Sequence, residues 1–322
     1  MKASLFRQIG VLGAGLMGHS IAQVFARQGY AVNLFDIDSQ MLSSAPERIR
    51  QNFKPYIRLN LADPEEVDQT LAHIDLCQNL EELCRGADLI IEAVSEKLEV
   101  KRGVFSRLEE NVSPNAVLAT NTSAISISKI ARNAQYPERI LGTHFWNPPH
   151  IIPCVEVIKG AETSTQVFDA VYELLREMGK KPVKVLRDIP GFLGNRMQHA
   201  LWREAVKLVE EGIAEPQDVD DVVRYGFGIR LAFLGPLQTA DLAGLDLTCL
   251  VHQDLFPHLD RSTMPSSLLE NKVKKGELGI KTGRGFHDWP PEVTHRTLSI
   301  RDEVLLRLID QVKASDKMTE PH

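Results

Sequence analysis

No stretch of this sequence approaches the ~18 consecutive apolar residues that carry a helix across a bilayer. A helical membrane span is therefore not expected. Cysteine is scarce: Cys77, Cys84, Cys154 and Cys249 are scattered, with no C-x-x-C pair and no matching histidine spacing. That pattern predicts reduced thiols in a cytoplasmic protein, and no metal site. There is also no dense run of Lys and Arg. Acidic residues (43) outnumber basic ones (37), for a net charge of −6, which argues against nucleic acid or an anionic membrane as the main partner. The opening segment, Met1 to Gln8, is too short and too polar for a signal peptide, and it is not an Arg/Ser-rich presequence. No internal repeat is present. What remains is ordinary for a globular chain, 43% hydrophobic and 25% charged, and its 322 residues exceed what one core usually holds. Two domains are expected.

The most informative segment is Gln8-Ile9-Gly10-Val11-Leu12-Gly13-Ala14-Gly15-Leu16-Met17-Gly18. An apolar strand runs into G-x-G-x-x-G and then into a helix. Gly13 allows a tight turn, Gly15 lets a pyrophosphate approach the backbone, and Gly18 lets the helix pack closely on its strand. The helix N-terminus offers free N–H groups and a positive dipole end. Gly13, Gly15, Leu16, Met17 and Gly18 are read as cofactor-binding. A second strand, Ala31 to Phe35, delivers Asp36 eighteen residues past the last glycine, where an acceptor for a ribose 2′-hydroxyl belongs. A carboxylate there repels a 2′-phosphate, so the pattern favours NAD over NADP. The plainer alternative is a glycine turn followed by a helix-capping Asp.

Strands then alternate with helices. Strands are predicted at Ile74–Leu76, Ala87–Val94, Ala116–Thr120, Arg139–His144, Ile151–Ile158 and Pro182–Leu186, with helices near 40–59, after Asp63, at 98–108 and at 166–178. This is the pattern of a doubly wound, Rossmann-type α/β sheet. Ligands in such sheets sit at the carboxyl ends of strands. Gly13, Asp36, Ser95, Asn121 and His144 all fall at or just past predicted strand ends, and Asn121 is taken as a further cofactor contact. After Asp188-Ile189-Pro190-Gly191 the pattern changes to helical stripes: Phe192 to Glu211, then Asp218 to Tyr225, then shorter helices. The expectation is an NAD-binding domain over 1–188 and an all-helical domain for substrate and dimerisation over 189–322. The tail from Lys313 reads as polar and frayed.

His144 lies at a strand end beside the expected crevice. An imidazole there suits proton transfer, because its unperturbed pKa of about 6.5 is near operating pH. Glu156 lies in an apolar strand. A buried carboxylate needs a partner, and a His–Glu pair would orient the imidazole and favour its charged form. A surface-facing Glu and a structural His fit the local sequence equally well.

These segments together resemble the L-3-hydroxyacyl-CoA dehydrogenases over residues 6 to 290. The matching pieces are the glycine loop, Ile91-Glu92-Ala93-Val94-Ser95-Glu96, Thr120-Asn121-Thr122-Ser123, His144-Phe145-Trp146-Asn147-Pro148, Val155-Glu156-Val157-Ile158, Pro190 to Arg196 and Lys281-Thr282-Gly283-Arg284-Gly285-Phe286. The resemblance implies NAD-dependent, reversible oxidation of a 3-hydroxyacyl-CoA to the 3-ketoacyl-CoA, as in fatty acid metabolism. By resemblance, His144 would be the general base, Glu156 its orienting partner, and Ser123 and Asn195 the donors to substrate oxygens. Glu96 and Lys101 would touch the nicotinamide side. From sequence alone Ser123 could instead cap a helix, Asn195 could be a surface residue, and Glu96 with Lys101 an ordinary surface pair.

Some features depart from the fatty-acid enzymes. The segment Pro148-Pro149-His150-Ile151-Ile152-Pro153, Trp146, and the stretches 208–213 and 231–237 look more like the lambda-crystallin and L-gulonate dehydrogenase branch. Carnitine dehydrogenases share the Asn-Pro-Pro segment. A small free hydroxy acid such as L-gulonate or carnitine is thus an alternative substrate, and a non-catalytic, crystallin-like protein an alternative of another class. Acyl-CoA needs basic groups for its phosphates. Arg48, Arg50, Lys54 and Arg58 could supply them or could form a solvated helix face, while the 281–286 segment matches the acyl-CoA branch. The apolar stripes of the second domain lead us to expect a homodimer.

Overall fold

The computed structural model describes residues 6–319. Residues 1–5 of the opening segment and 320–322 of the tail lie outside them. Contacts divide the chain into two compact units, the first running to Arg196 and the second from Met197.

The first unit is an eight-stranded sheet: β1 (Gln8–Leu12), β2 (Ala31–Phe35), β3 (Ile74–Leu76), β4 (Leu89–Glu92), β5 (Val117–Thr120), β6 (Ile140–Phe145), β7 (Cys154–Ile158) and β8 (Lys181–Val185). The strands lie in the order β3-β2-β1-β4-β5-β6-β7-β8. Its helices are α1 (Gly18–Arg27), α2 (Ser39–Ser43), α3 (Ala45–Arg58), α4 (Pro64–Ala72), α5 (Leu80–Cys84), α6 (Leu98–Asn111), α7 (Ile127–Ile130) and α8 (Thr165–Glu177). The strands are apolar on both sides because both faces are covered, as parallel sheets require. Ile9, Val11, Leu89, Ile91, Val117 and Ala119 pack with Ile21 and Phe25 of α1 and with Val171 and Leu174 of α8. Ile90, Leu118, Ile140 and Ile158 face the other way, onto Leu83, Phe105, Leu108 and Ile130. Strand and helix positions follow the sequence expectations to within a few residues. The polar helical region near 40–59 is broken at Ser44 into α2 and α3.

One pairing departs from the repeating pattern. No helix intervenes between β6 and β7, and the two strands pair antiparallel. This reversal matters for the site, because it sets His144 directly opposite Glu156.

The second unit is helical. It continues α9 (Gly194–Glu210) and adds α10 (Pro216–Asp221), a π-helical segment (Val222–Phe227), α11 (Gly228–Leu231), α12 (Pro236–Ala243), α13 (Leu245–Leu255), α14 (Ser267–Lys274) and α15 (Pro291–Thr319). The tail expected to be frayed from Lys313 is helical through Thr319. Lys313, Ala314, Lys317 and Met318 are good helix formers and continue the helix that precedes them. No helix is long and apolar enough to cross a membrane among the described residues.

The three glycines of the β1–α1 turn have separate reasons to be glycine. Gly13 has φ +100°, and a Cβ on it would lie 2.7 Å from the Ala93 carbonyl oxygen. A Cβ on Gly18 would lie 1.7 Å from the Gly13 carbonyl oxygen. A Cβ on Gly15 would meet no protein atom within 4 Å. Gly18→Ala is therefore expected to cost ~2 kcal/mol or more, in the range of overpacking penalties. Gly15→Ala should stay within ~0.5 kcal/mol of the parent, as for a substitution that touches nothing. Denaturant unfolding of both variants checks this; equal losses would contradict it.

Candidate active site

The parallel register brings the carboxyl ends of β1, β4, β5 and β6 to one edge. Leu12 pairs with Glu92, Glu92 with Thr120, and Thr120 with Gly142. Gly13 starts its turn at this level. His144 stands two residues beyond it, about 7 Å further along the strand direction.

His144 and Glu156 project from the same face of their strands as Ile140 and Ile158, because strand side chains alternate. This face stays covered to the strand ends: His144 is 4% and Glu156 2% exposed. The covering comes from the chain after β8. It turns at Gly191 (φ +75°) and lays Phe192 over the imidazole, ring centroids 5.8 Å apart. Phe192 itself has φ +49°, a backbone state disfavoured for a residue with a Cβ. Trp146 flanks the imidazole at 5.1 Å and fits against Gly194, where a Cβ would lie 2.1 Å from the indole.

His144 Nδ1 is 2.7 Å from Glu156 Oε2. The other carboxylate oxygen accepts the Leu193 and Gly194 amides, at 2.9 and 3.0 Å. Burial pushes the Glu156 carboxyl up. The hydrogen bonds from His144, Gly194 and Leu193 more than offset this and hold it below its ordinary value. The surface-facing alternative for Glu156 is thus excluded. With Nδ1–H donating to the carboxylate, Nε2 of the neutral ring is left as an acceptor.

Ser123 and Asn195 come together: Asn195 Nδ2 donates to the Ser123 carbonyl oxygen at 2.8 Å. Ser123 does not cap a helix, since the cap of α7 is Ser126. Asn121 Oδ1 accepts the Phe145 amide at 2.8 Å, so this side chain holds the backbone next to His144. Glu96 clamps the same loop, accepting the Ser123 and Ala124 amides at 2.9 and 3.1 Å and the Thr122 hydroxyl. Burial pushes the Glu96 carboxyl up, but Thr122, Lys101 and these amides together hold it low.

Lys101 is not on the surface. It is 1% exposed, with Nζ 2.7 Å from Glu92 Oε1 and 3.3 Å from Glu96 Oε2. Sequence reasoning assigned Glu92 no role. It is fully buried at the end of β4 and also accepts from Thr120 Oγ1 (2.6 Å) and the Val94 amide (2.7 Å). The signal was present: one acid inside the apolar run 89–94 demands a cation nearby.

Asp36 Oδ2 accepts the Ala14 amide at 2.6 Å and Oδ1 the Asp38 amide at 2.9 Å. The helix-capping alternative falls to Asp38, which caps α2. The Gly15 and Leu16 amides donate to no protein acceptor among the described residues, and the space above Gly15 is open. Unspent donors under a bare backbone fit a pyrophosphate. Gly13, Gly15, Leu16, Met17 and Gly18 would hold it, with Asp36 at the second strand end.

Glu156 carries a pH-dependent share of stability. Its folded-state carboxyl lies below the ordinary value of 4.5, so its contribution is complete above that pH and lost as pH falls through the folded value. The stability advantage of the parent over Glu156→Gln should therefore be constant near neutrality and shrink below pH 4.5. Denaturant midpoints measured across pH check this; an advantage that grows on acidification would contradict it.

The chain matches the family model for the 3-hydroxyacyl-CoA dehydrogenase NAD binding domain over residues 8–189, and that for the 3-hydroxyacyl-CoA dehydrogenase C-terminal domain over 191–289. It is 35% identical over 290 residues (90% of this chain, 93% of the relative) to 5-formyl-3-hydroxy-2-methylpyridine 4-carboxylate 5-dehydrogenase of Mesorhizobium japonicum. It is 36% identical over 284 residues (88% and 97%) to a probable 3-hydroxybutyryl-CoA dehydrogenase of Bacillus subtilis. Among solved structures, a 5-formyl-3-hydroxy-2-methylpyridine 4-carboxylic acid 5-dehydrogenase, described as an NAD+-dependent dismutase, superposes with a TM-score of 0.90 at 33% identity, covering 96% of this chain and 99% of that one. The match to both family models, the open glycine loop and the buried His–Glu pair lead to one conclusion: this chain belongs to the 3-hydroxyacyl-CoA dehydrogenase family, NAD-dependent oxidoreductases that act on a CH–OH group.

Proposed function

We propose that His144 is the general base for oxidation of a secondary alcohol, and the general acid in the reverse direction. The observation that carries this reading is the bond between His144 Nδ1 and Glu156. It leaves Nε2 to take the hydroxyl proton while the carboxylate stabilises the imidazolium. The cofactor, when bound, supplies the hydride acceptor. Ser123 and Asn195 orient the reacting oxygen as neutral donors, which do not compete for its proton. Asp36 receives the ribose hydroxyl and disfavours a 2′-phosphate. Glu96 and Lys101 support the nicotinamide side, Glu96 through the loop that carries Ser123 and Lys101 through Glu96.

For the substrate, the same reading favours a small hydroxy carboxylate over a CoA thioester. The phosphates of CoA need free basic groups, but two of the α3 cations, Arg48 and Arg50, are engaged. Arg48 donates to the Ala14, Gly15 and Met41 carbonyls, and Arg50 pairs with Asp68 at 3.6 Å. Likeness along nearly the whole chain to an enzyme named for a pyridine carboxylate supports this too. The C-terminal family match, which includes Lys281 to Phe286, favours the 3-hydroxyacyl-CoA reading as the second possibility.

Steady-state assays separate the two. With NAD, free 3-hydroxy acids such as L-gulonate and carnitine, together with pyridine carboxylates carrying an alcohol, should include a substrate. With NADH, acetoacetyl-CoA should turn over poorly. Efficient reduction of acetoacetyl-CoA would overturn the substrate assignment and leave the His144 chemistry standing. His144→Gln should fold and bind NADH but lose ~10²-fold or more in turnover, the scale of general acid–base help. Near-parent rates would remove His144 from its role.

The protein is further proposed to be a cytoplasmic homodimer. Its cysteines are free. In the second unit only Val219 and Leu306 are buried apolar residues among those described, while Trp202, Tyr225, Phe233, Leu237, Leu250 and many others are exposed. So much apolar surface marks an interaction face, and a second copy brings the identical face to it across a twofold axis. Light scattering at low concentration should give twice the chain mass; a monomer would contradict the proposal.

A further inference from the structure

A cation on α3 holds the glycine loop from behind. Arg48 Nη2 donates to the Ala14 carbonyl at 2.7 Å and to the Met41 carbonyl at 2.6 Å. Its Nη1 donates to the Gly15 carbonyl at 3.2 Å. The Gly15 carbonyl also accepts from His19 Nδ1 at 2.6 Å. His19 is buried, and burial together with the Arg48 charge lowers its pKa, against the opposing pull of the Gly15 bond. The neutral ring therefore spends its Nδ1 proton on Gly15, and Arg48 is the fixed positive charge of the cluster.

The geometry of the peptide group links this cluster to the ligand. The Ala14 carbonyl belongs to the same amide as the Gly15 N–H, and the Gly15 carbonyl to the same amide as the Leu16 N–H. A hydrogen bond to the oxygen of an amide polarises its N–H and strengthens it as a donor. Gly15 and Leu16 are two of the four loop amides, with Met17 and Gly18, that have no protein acceptor among the described residues. Arg48 thus grips two of the peptides whose N–H groups are unspent, and it brings a charge of the sign a diphosphate requires.

We propose that Arg48 is a positioning residue for the cofactor diphosphate, acting through the Ala14–Gly15 and Gly15–Leu16 peptides. Its role concerns the phosphates and not the adenine, ribose or reacting ends. It rests on NAD binding at the glycine loop and is independent of the substrate reading above.

The test is calorimetric binding of ADP-ribose, which carries the diphosphate, alongside competition of bound NADH fluorescence by adenosine, which does not. Arg48→Met keeps much of the stem and loses the charged fork. It should weaken ADP-ribose ~10-fold, the scale of a charge-assisted hydrogen-bonding group, and change adenosine less than ~2-fold. Arg48→Lys retains the charge with a single donor head and is measured in parallel. It should weaken ADP-ribose by a smaller factor, again with adenosine unchanged. ADP-ribose affinity within ~2-fold of the parent in both variants would overturn the proposal. Equal weakening of ADP-ribose and adenosine would also overturn it, because Arg48 would then be a structural tie between α2, α3 and the loop.

Discussion

The bond between His144 and Glu156 is the interaction on which the rest of the site depends. Both groups are nearly inaccessible to solvent, and a buried carboxylate left without a partner costs several kcal/mol. The fold satisfies it twice over, with the imidazole on one oxygen and two backbone amides from the start of α9 on the other. That arrangement needs β6 and β7 to run antiparallel, so that His144 and Glu156 are register partners. It also needs the chain after β8 to return across their face, which is where the left-handed Gly191 and Phe192 lie. The reversal and the strained corner are the structural conditions for one oriented imidazole.

The cofactor side is built from backbone rather than side chains. The tight approach of α1 to β1 requires glycine at 13 and 18 for packing reasons internal to the protein. Gly15 has no such reason: a Cβ there would meet no protein atom within 4 Å, which leaves its backbone open to a ligand. Side chains enter as supports. Asp36 holds the Ala14 amide, Arg48 the Ala14 and Gly15 carbonyls, and Glu92 with Lys101 ties the end of β4 to Glu96 and the loop beyond β5. The loops proposed to meet substrate are thus pinned by charges buried in the edge of the sheet, which is how a site keeps its geometry without substrate.

Much of this was legible in the residues. Continuous apolar runs marked the central strands, and the glycine spacing placed the turn. A carboxylate in the apolar Cys154–Ile158 strand suggested a pair with His144, although alternation in that strand allowed Glu156 to face solvent. What decided the matter is a long-range covering by Phe192, which no local pattern reports. Glu92 carried a local signal, a lone acid in an apolar run, but its partner Lys101 did not announce itself, and Arg48 was missed because its partners are long-range. Arg48 looks like one more charge on a polar helix, and its partners are carbonyls more than thirty residues away. The end of the last helix, from Lys313 to Thr319, was read as a frayed tail because its polarity was weighed above its continuity with the helix before it.

The central claim is spatial: an imidazole backed by a carboxylate faces the nicotinamide ring across a bound alcohol. A crystal structure with NAD and an unreactive substrate analogue tests it most directly. The account predicts His144 Nε2 within about 3 Å of the analogue's oxygen, with the carbon bearing that oxygen set against the nicotinamide ring. An analogue bound with its oxygen away from His144, or an imidazole turned from the dinucleotide groove, would contradict it.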